Sequence, residues 1–167
     1  GTAAYEVIHH ANNPKLDNAI ICAGGGGLTA GSCISIKHIN PQCNVFTAEP
    51  EEWNDHQLSF EKNERVAMDT NRGGLCDGLL TPTPGEIPFA INTHFGVKGL
   101  SASDQAVCEA MRFAFNRLNL KLEPSGAVAL ACLLQNKDKF RGSRTLVMLS
   151  GGNVDQKTFA ECLAKAN

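Results

Sequence analysis

The sequence predicts an α/β fold in which an open, mostly parallel sheet is flanked by helices. Two short apolar runs, 17–23 and 44–48, have the length and composition of strands buried on both faces, and a helical segment lies between them. A third apolar run, 144–149, also ends at a glycine-rich turn. A strand, a helix and a second strand in this order imply a right-handed crossover within one sheet.

Capping residues and breakers predict where the helices lie. The helix after the first strand covers 28–39 and ends at Asn40-Pro41. Ser101 and Asp104 have the spacing of a capping box, which predicts a helix that continues to about Leu118. Because turn residues dominate 51–99, we expect surface loops there, with one short helix and at most one short strand. The other predicted helices cover 2–12, 127–135 and 156–165.

Length and composition indicate one α/β domain over residues 1–167, of which 43% are hydrophobic. The net charge of −2 gives no basic footprint for nucleic acid. No apolar run approaches the roughly 20 residues that span a bilayer. The seven cysteines form no C-x-x-C pair and lie mostly in apolar runs, which is typical of buried thiols in a reducing compartment. We therefore expect a cytoplasmic protein.

Four consecutive glycines, Gly24 to Gly27, follow the first strand and open a helix. Their backbone amides can converge on an anion without interference from a Cβ, and the helix dipole adds to the attraction. A phosphate ester, a dinucleotide and a turn without ligand all remain open from this pattern. The dinucleotide alternative has support because Gly25, Gly27 and Ala30 fit G-x-G-x-x-A, with Glu49 ending the next strand about 20 residues later.

Five stretches of the chain match one family in order. They are Gly24-Gly25-Gly26-Gly27-Leu28, Ala48-Glu49-Pro50, Asp77-Gly78, Glu123-Pro124-Ser125-Gly126-Ala127 and Leu149-Ser150-Gly151-Gly152-Asn153. On these residues the chain resembles the serine/threonine dehydratase and serine racemase family, which are fold-type II pyridoxal-phosphate enzymes. The resemblance covers nearly the whole chain and favours a single cofactor phosphate over a dinucleotide.

The resemblance implies a role for each matched residue. Gly24, Gly25, Gly26 and Gly27, with the Leu28 amide, would hold the phosphate of pyridoxal 5′-phosphate. Gly78 would let the backbone lie close to this cofactor, Glu123 would lie near its ring, and Ser150 would place a hydroxyl at the pyridine nitrogen. A serine cannot keep that nitrogen protonated as a carboxylate would, so the ring is a weaker electron sink, which suits β-elimination.

The resemblance also suggests a metal site and an effector contact. Some members bind a divalent cation through residues that correspond here to Glu49, Asp55 and the Trp53 carbonyl, and such oxygen ligands suit Mg²⁺ or Ca²⁺. From spacing alone, two acids in a loop are more often simply solvated, so the metal site is what the resemblance implies. Asn153 corresponds to a residue that some racemase-type relatives use for nucleotide effectors.

The activity implied is dehydration of a hydroxy amino acid to a 2-oxo acid and ammonia, in an enzyme that is commonly a homodimer. Serine or hydroxyaspartate racemisation and a non-catalytic phosphate-binding piece are the alternatives. No catalytic residue is expected in this chain, because the family's Schiff-base lysine lies in a Ser-x-Lys-x-Arg-Gly-Ala-type motif that no lysine here has. The resemblance thus implies that the family's N-terminal half, with that lysine and the small domain, is not in this chain, and that the chain alone is inactive.

Overall fold

A four-stranded, fully parallel sheet organises the protein, in the strand order β3-β2-β1-β4. The computed structural model describes residues 1–12 and 14–166. The strands are β1 (Asn18–Cys22), β2 (Asn44–Pro50), β3 (Lys98–Ala102) and β4 (Thr145–Val147).

Helices cover both faces of this sheet. None of the described helices is long and apolar enough to cross a lipid bilayer. The helices are α1 (Thr2–His10), α2 (Gly27–Ile39), α3 (Asp55–Lys62), α4 (Glu86–His94), α5 (Asp104–Leu118), α6 (Pro124–Gln135), α7 (Lys137–Phe140) and α8 (Gln156–Lys165). Single 3₁₀ turns lie at Glu51–Trp53 and Asp77–Leu79.

Strand β1 lies inside the sheet and is buried on both faces, as its continuous apolar run predicts. Successive side chains point to opposite faces of a strand, so Ile20 and Ile21 belong to different cores. Ile20 belongs to the core that also contains Met111 of α5 and the α6 side chains, whereas Ile21 belongs to the core that contains Ile8 of α1 and Ile36 of α2. The two-sided arrangement confirms the predicted fold class.

The register brings the carboxyl ends of β1 and β2 together, with Cys22 opposite Ala48. Glycines 24–27 follow β1, and Glu49 lies near the end of β2. At the other side of β1, Ile20 is opposite Val147 of β4, so the turn after β4 reaches the same end of the sheet. In parallel sheets this end is where ligands bind.

The structure corrects the predicted start of α5. Ser101 lies within β3, where it pairs with Glu49 of β2, so its backbone is extended and it caps nothing. The N-cap is Ser103, whose side chain accepts a hydrogen bond from the Ala106 amide at 3.3 Å. Sheet pairing therefore moves the helix start by two residues.

Helix α4 lies in a segment for which the sequence predicts a loop. The turn residues of 81–85 dominate the local pattern, but they end at Gly85, which is the N-cap of this helix. Pro88 falls within the first turn, where proline is tolerated. The tertiary contacts of α4 with α2 stabilise a helix that its local sequence signals weakly.

Candidate functional site

A cleft of about 330 Å³ lies at the carboxyl end of β1, and the predicted cofactor-binding residues line it together. The glycine turn forms one part of the wall, and the segments at the N-terminus of α6 and after β4 supply others. The lining residues are Cys22, Gly24, Gly25, Gly26, Gly27, Leu28, Gly78, Leu79, Glu123, Ser125 and Ser150.

The N-terminus of α2 opens onto this cleft with its amides available. Gly26 is the N-cap and has φ +87°, a left-handed conformation that glycine adopts without steric cost. Among the described residues no side chain caps this helix, and its first turn holds no acid. Unsatisfied amides and the positive end of a 13-residue helix dipole are the features that bind a phosphate. The residues present therefore fit the phosphate of a cofactor.

His56 of α3 supports the glycine turn from behind. Its Nε2–H donates to the Gly24 carbonyl oxygen at 2.8 Å, and a Cβ on Gly26 would overlap the imidazole ring. Burial lowers the pKa of His56, which keeps the ring neutral. No local signal in the sequence points to this residue, because 32 positions separate His56 from Gly24.

Gly78 is held against the N-terminus of α6. Its N–H donates to Ser125 Oγ at 2.9 Å, and a Cβ at this position would lie 3.1 Å from the same oxygen. A side chain on residue 78 would therefore displace either Ser125 or the turn that carries the backbone to the cleft. The backbone of Gly78 thus lies close to a serine hydroxyl, and its approach to the cofactor stays a prediction.

Glu123 fixes the turn that carries Ser150. Its amide donates to the Gly151 carbonyl at 3.1 Å, and its Oε2 accepts from the Asn153 amide at 2.8 Å. These two bonds tie the N-cap residue of α6 to the residues that follow β4. Ser150 itself is exposed and lies at the cleft, with its Oγ 2.8 Å from Cys22 Sγ.

Asn153 lies outside this cleft, in a neighbouring pocket of about 290 Å³. Three acids, Asp77, Glu123 and Asp155, line the pocket with it. Their negative charge opposes a nucleotide phosphate, so an effector contact at Asn153 would need a cation alongside it.

Glu49 is fully buried, and its carboxylate faces the start of α3. Its Oε1 accepts from the His56 amide at 2.7 Å and its Oε2 from the Gln57 amide at 2.9 Å. Burial, and then the charge of Asp55, raise the pKa of this carboxyl well above its ordinary value. Because Glu49 is fully buried, its carboxyl is not accessible to a ribose, and the dinucleotide alternative loses the acid that would bind the ribose hydroxyl.

Asp55 is also fully buried, and neither of its carboxyl oxygens has a hydrogen-bond partner among the described residues. Burial raises its pKa to about 7. An unsatisfied buried carboxyl requires a proton or a cation. Within 1–12 and 14–166, no group of three His, Cys, Asp or Glu side chains could hold a metal ion, so a cation at Glu49 and Asp55 would also need main-chain oxygens or water.

A comparison with protein families matches residues 1–151 to the model described as "Pyridoxal-phosphate dependent enzyme". A serine racemase of Schizosaccharomyces pombe is 34% identical over 165 residues, which cover 99% of this chain and 50% of that protein. An L-threo-3-hydroxyaspartate ammonia-lyase of Pseudomonas sp is 35% identical over 163 residues, or 98% of this chain and 50% of that protein. The chain thus spans about half the length of the curated relatives it matches.

Solved structures of deaminases and racemases are also similar to this chain. A threonine deaminase from T.th. superposes with a TM-score of 0.86 at 32% sequence identity, covering 92% of this chain and 55% of that one. The serine racemase from Dictyostelium discoideum gives a TM-score of 0.81 at 34% identity, covering 92% of this chain and 49% of its own. Both deaminases and racemases are therefore among the similar folds.

Proposed function

Because this chain belongs to the pyridoxal-phosphate dependent enzyme family, we propose that it forms the cofactor-holding part of a hydroxy-amino-acid dehydratase. The proposed reaction converts serine, threonine or hydroxyaspartate to a 2-oxo acid and ammonia. One observation carries the proposal: the glycine turn and Ser150 line a single cleft at the carboxyl end of β1.

The residues of the turn would hold the phosphate through backbone amides alone. No described lysine or arginine lines the cleft, so the glycine amides and the α2 dipole would carry the attraction. His56 orients the Gly24 peptide by binding its carbonyl oxygen. This hydrogen bond fixes the turn before any ligand arrives, which lowers the cost of ordering it on binding.

Ser150 would set the electronic character of the ring. When bound, pyridoxal phosphate supplies an electron sink for the charge that develops at the amino acid's Cα. A hydroxyl can donate to an unprotonated pyridine nitrogen, but it cannot stabilise a pyridinium as a carboxylate would. A weaker sink favours loss of the β-hydroxyl over transamination, which is the support for a dehydratase.

Racemisation is the second candidate, because serine racemases from two organisms are as similar to this chain as the ammonia-lyases. Full-length protein incubated with L-serine, L-threonine and hydroxyaspartate distinguishes the two. A dehydratase releases 2-oxo acid and ammonia, whereas a racemase changes the enantiomer ratio measured by chiral chromatography.

The amine that forms the imine with the cofactor would come from polypeptide outside this chain. None of the described lysines lines the cleft, which supports this proposal. We expect borohydride treatment of the 167-residue chain with pyridoxal phosphate to leave no stoichiometric adduct at one lysine, as measured by peptide mass spectrometry. A single lysine trapped in full yield would contradict it.

Phosphate binding is tested with 4-deoxypyridoxine 5′-phosphate, which has no aldehyde and binds without covalent chemistry. Gly25 and Gly73 both have open space where a Cβ would lie, so a side chain can begin at either position without a clash of its Cβ. We expect Gly25→Asp to weaken binding at least about tenfold, because a carboxylate opposes the phosphate. Gly73→Asp is the matched control. Equal affinity of the two variants by calorimetry would place the phosphate elsewhere.

We also propose that Glu49, Asp55 and the Trp53 carbonyl bind Mg²⁺ or Ca²⁺. The buried Glu49–Asp55 pair supports this: the Asp55 oxygens accept from no N–H or O–H donor among the described residues, and a cation would satisfy them. Added Ca²⁺ should raise the melting temperature, by about 2–4 °C for each kcal/mol of binding free energy. Asp55→Ala should abolish the shift, and Glu61→Ala, on the exposed side of α3, should keep it. A shift that survives Asp55→Ala rules out the site.

A further inference from the structure

Cys22 is the last residue of β1, and its thiol reaches the cofactor cleft. The residue is 4% exposed, lines the cleft, and places Sγ 2.8 Å from Ser150 Oγ. We propose that Cys22 is a positioning residue, whose S–H donates to Ser150 Oγ and thereby directs the Ser150 hydroxyl proton to the pyridine nitrogen of the cofactor. This inference rests on the proposed function, because it assigns Ser150 to that nitrogen.

The chemistry of the two groups sets the direction of the hydrogen bond. A hydroxyl oxygen is a good acceptor, whereas a thiol sulfur is a weak one, so S–H to O is the better arrangement. Burial, which outweighs the hydrogen bond to Ser150, raises the pKa of Cys22. The thiol therefore keeps its proton at neutral pH and remains a donor.

The backbone around Cys22 is rigid, whereas Ser150 is exposed at the start of a turn. Cys22 pairs with Ala48 of β2, and its carbonyl also accepts from Thr29 Oγ1 at 3.4 Å. A serine hydroxyl rotates to suit its surroundings. Once one lone pair of Ser150 Oγ accepts from the thiol, its proton points away from the sulfur, which favours the unprotonated form of a ring nitrogen placed beside it.

A buried cysteine that lies away from the cleft provides a control for the general effect of removing a buried thiol. Among the described residues, Cys22 is the only cysteine that lines this cleft. Cys33 of α2 is fully buried in the core on the other face of the sheet, with Ile36 and Val45. Replacing Cys33 removes a buried thiol and leaves the Ser150 environment unchanged.

The test uses the 167-residue chain and 4-deoxypyridoxine 5′-phosphate, with calorimetry for affinity and ultraviolet absorbance for protonation of the bound ring nitrogen. Cys22→Val should weaken binding roughly threefold to tenfold, the usual effect of one lost hydrogen bond. It should also raise the pKa of the bound ring nitrogen. Cys22→Ser, which restores a donor, should bind and titrate as the wild type does, and Cys33→Val should change neither measurement.

The possible results separate the role of Cys22 from the proposed function. If the wild-type chain does not bind the probe, both this inference and the proposed function are wrong. If it binds, but Cys22→Val matches it in affinity and in ring titration, only the role of Cys22 is wrong. If Cys22→Ser is as impaired as Cys22→Val, the thiol acts by packing, which also overturns the inference. Cys22→Ala carries the same expectation as Cys22→Val, should valine prevent folding.

Discussion

At the scale of single residues, Gly26 combines two constraints that act independently. Its φ of +87° lies in the left-handed region, and a Cβ at this position would also overlap the His56 imidazole. Gly96 shares the first constraint, with φ +65°, but has open space where a Cβ would lie. Gly27, in the same turn as Gly26, has neither. Substitutions at the three positions therefore distinguish the cost of a left-handed backbone from the cost of steric overlap.

We therefore predict a graded loss of stability on alanine substitution. Gly27→Ala should be nearly neutral, Gly96→Ala should lower the free energy of unfolding by about 1 kcal/mol, and Gly26→Ala by about 2–4 kcal/mol. Urea unfolding of the three variants measures these differences. Equal losses for Gly26→Ala and Gly96→Ala would mean that His56 does not pack against the turn.

The glycine turn and Ser150 can be located from the sequence, since both belong to local motifs. His56 and Cys22 cannot, because each acts on a residue far along the chain. Cys22 and Ser150 are 128 residues apart, and only the pairing of β1 with β4 brings them together. An apolar strand residue next to a glycine turn carries no signal that its side chain will meet a serine of another turn.

At the scale of elements, the start of α5 shows how a sheet overrides a capping signal. Both Ser101 and Ser103 are N-cap residue types, and the capping-box spacing favours Ser101. Ser101 is instead held in the ladder between β2 and β3, which extends the backbone past it. The spacing of neighbouring residues carries no information about a strand that pairs with residues some fifty positions earlier. Helices with strong periodicity, such as α5 itself, nevertheless agree with the prediction to within a few residues.

Replacement of the two serines tests this assignment. Ser103→Ala should lower the free energy of unfolding by about 1 kcal/mol, because the Ala106 amide loses its acceptor. Ser101→Ala removes a side chain that caps nothing, so its effect should stay within about 0.5 kcal/mol. Chemical denaturation monitored by circular dichroism compares them. A larger loss at Ser101 would restore the capping box that the sequence suggests.

At the scale of the whole molecule, the two edges of the sheet differ in their protection. Edge strand β3 begins with Lys98, and Gln57 of α3 packs over its Gly99 so closely that a Cβ there would overlap it. Edge strand β4 contains Leu146 and Val147, is only half-buried, and carries no charge. An edge with a lysine and a covering helix resists pairing with other chains, whereas an uncharged apolar edge invites it.

The outward-facing groups of β4 follow from its hydrogen bonds to β1. The Arg144 carbonyl accepts from the Asn18 amide, and the Met148 amide donates to the Ile20 carbonyl. The N–H and C=O groups of successive residues point to opposite sides of a strand. The backbone groups of Leu146 therefore also face β1, whereas those of Thr145 and Val147 point to the free edge. Among the described residues no strand pairs with that edge.

We accordingly predict that the 167-residue chain self-associates through β4. Val147→Pro removes an outward amide and should lower the association measured by sedimentation velocity, while the melting temperature falls only modestly. Leu146→Pro is the matched comparison, since it removes an amide that faces β1 and should cost far more stability. If Val147→Pro associates as strongly as the wild type, the edge of β4 is not the contact. The apolar surface responsible would then lie on the helical faces, where Phe115 and Leu118 of α5 are exposed.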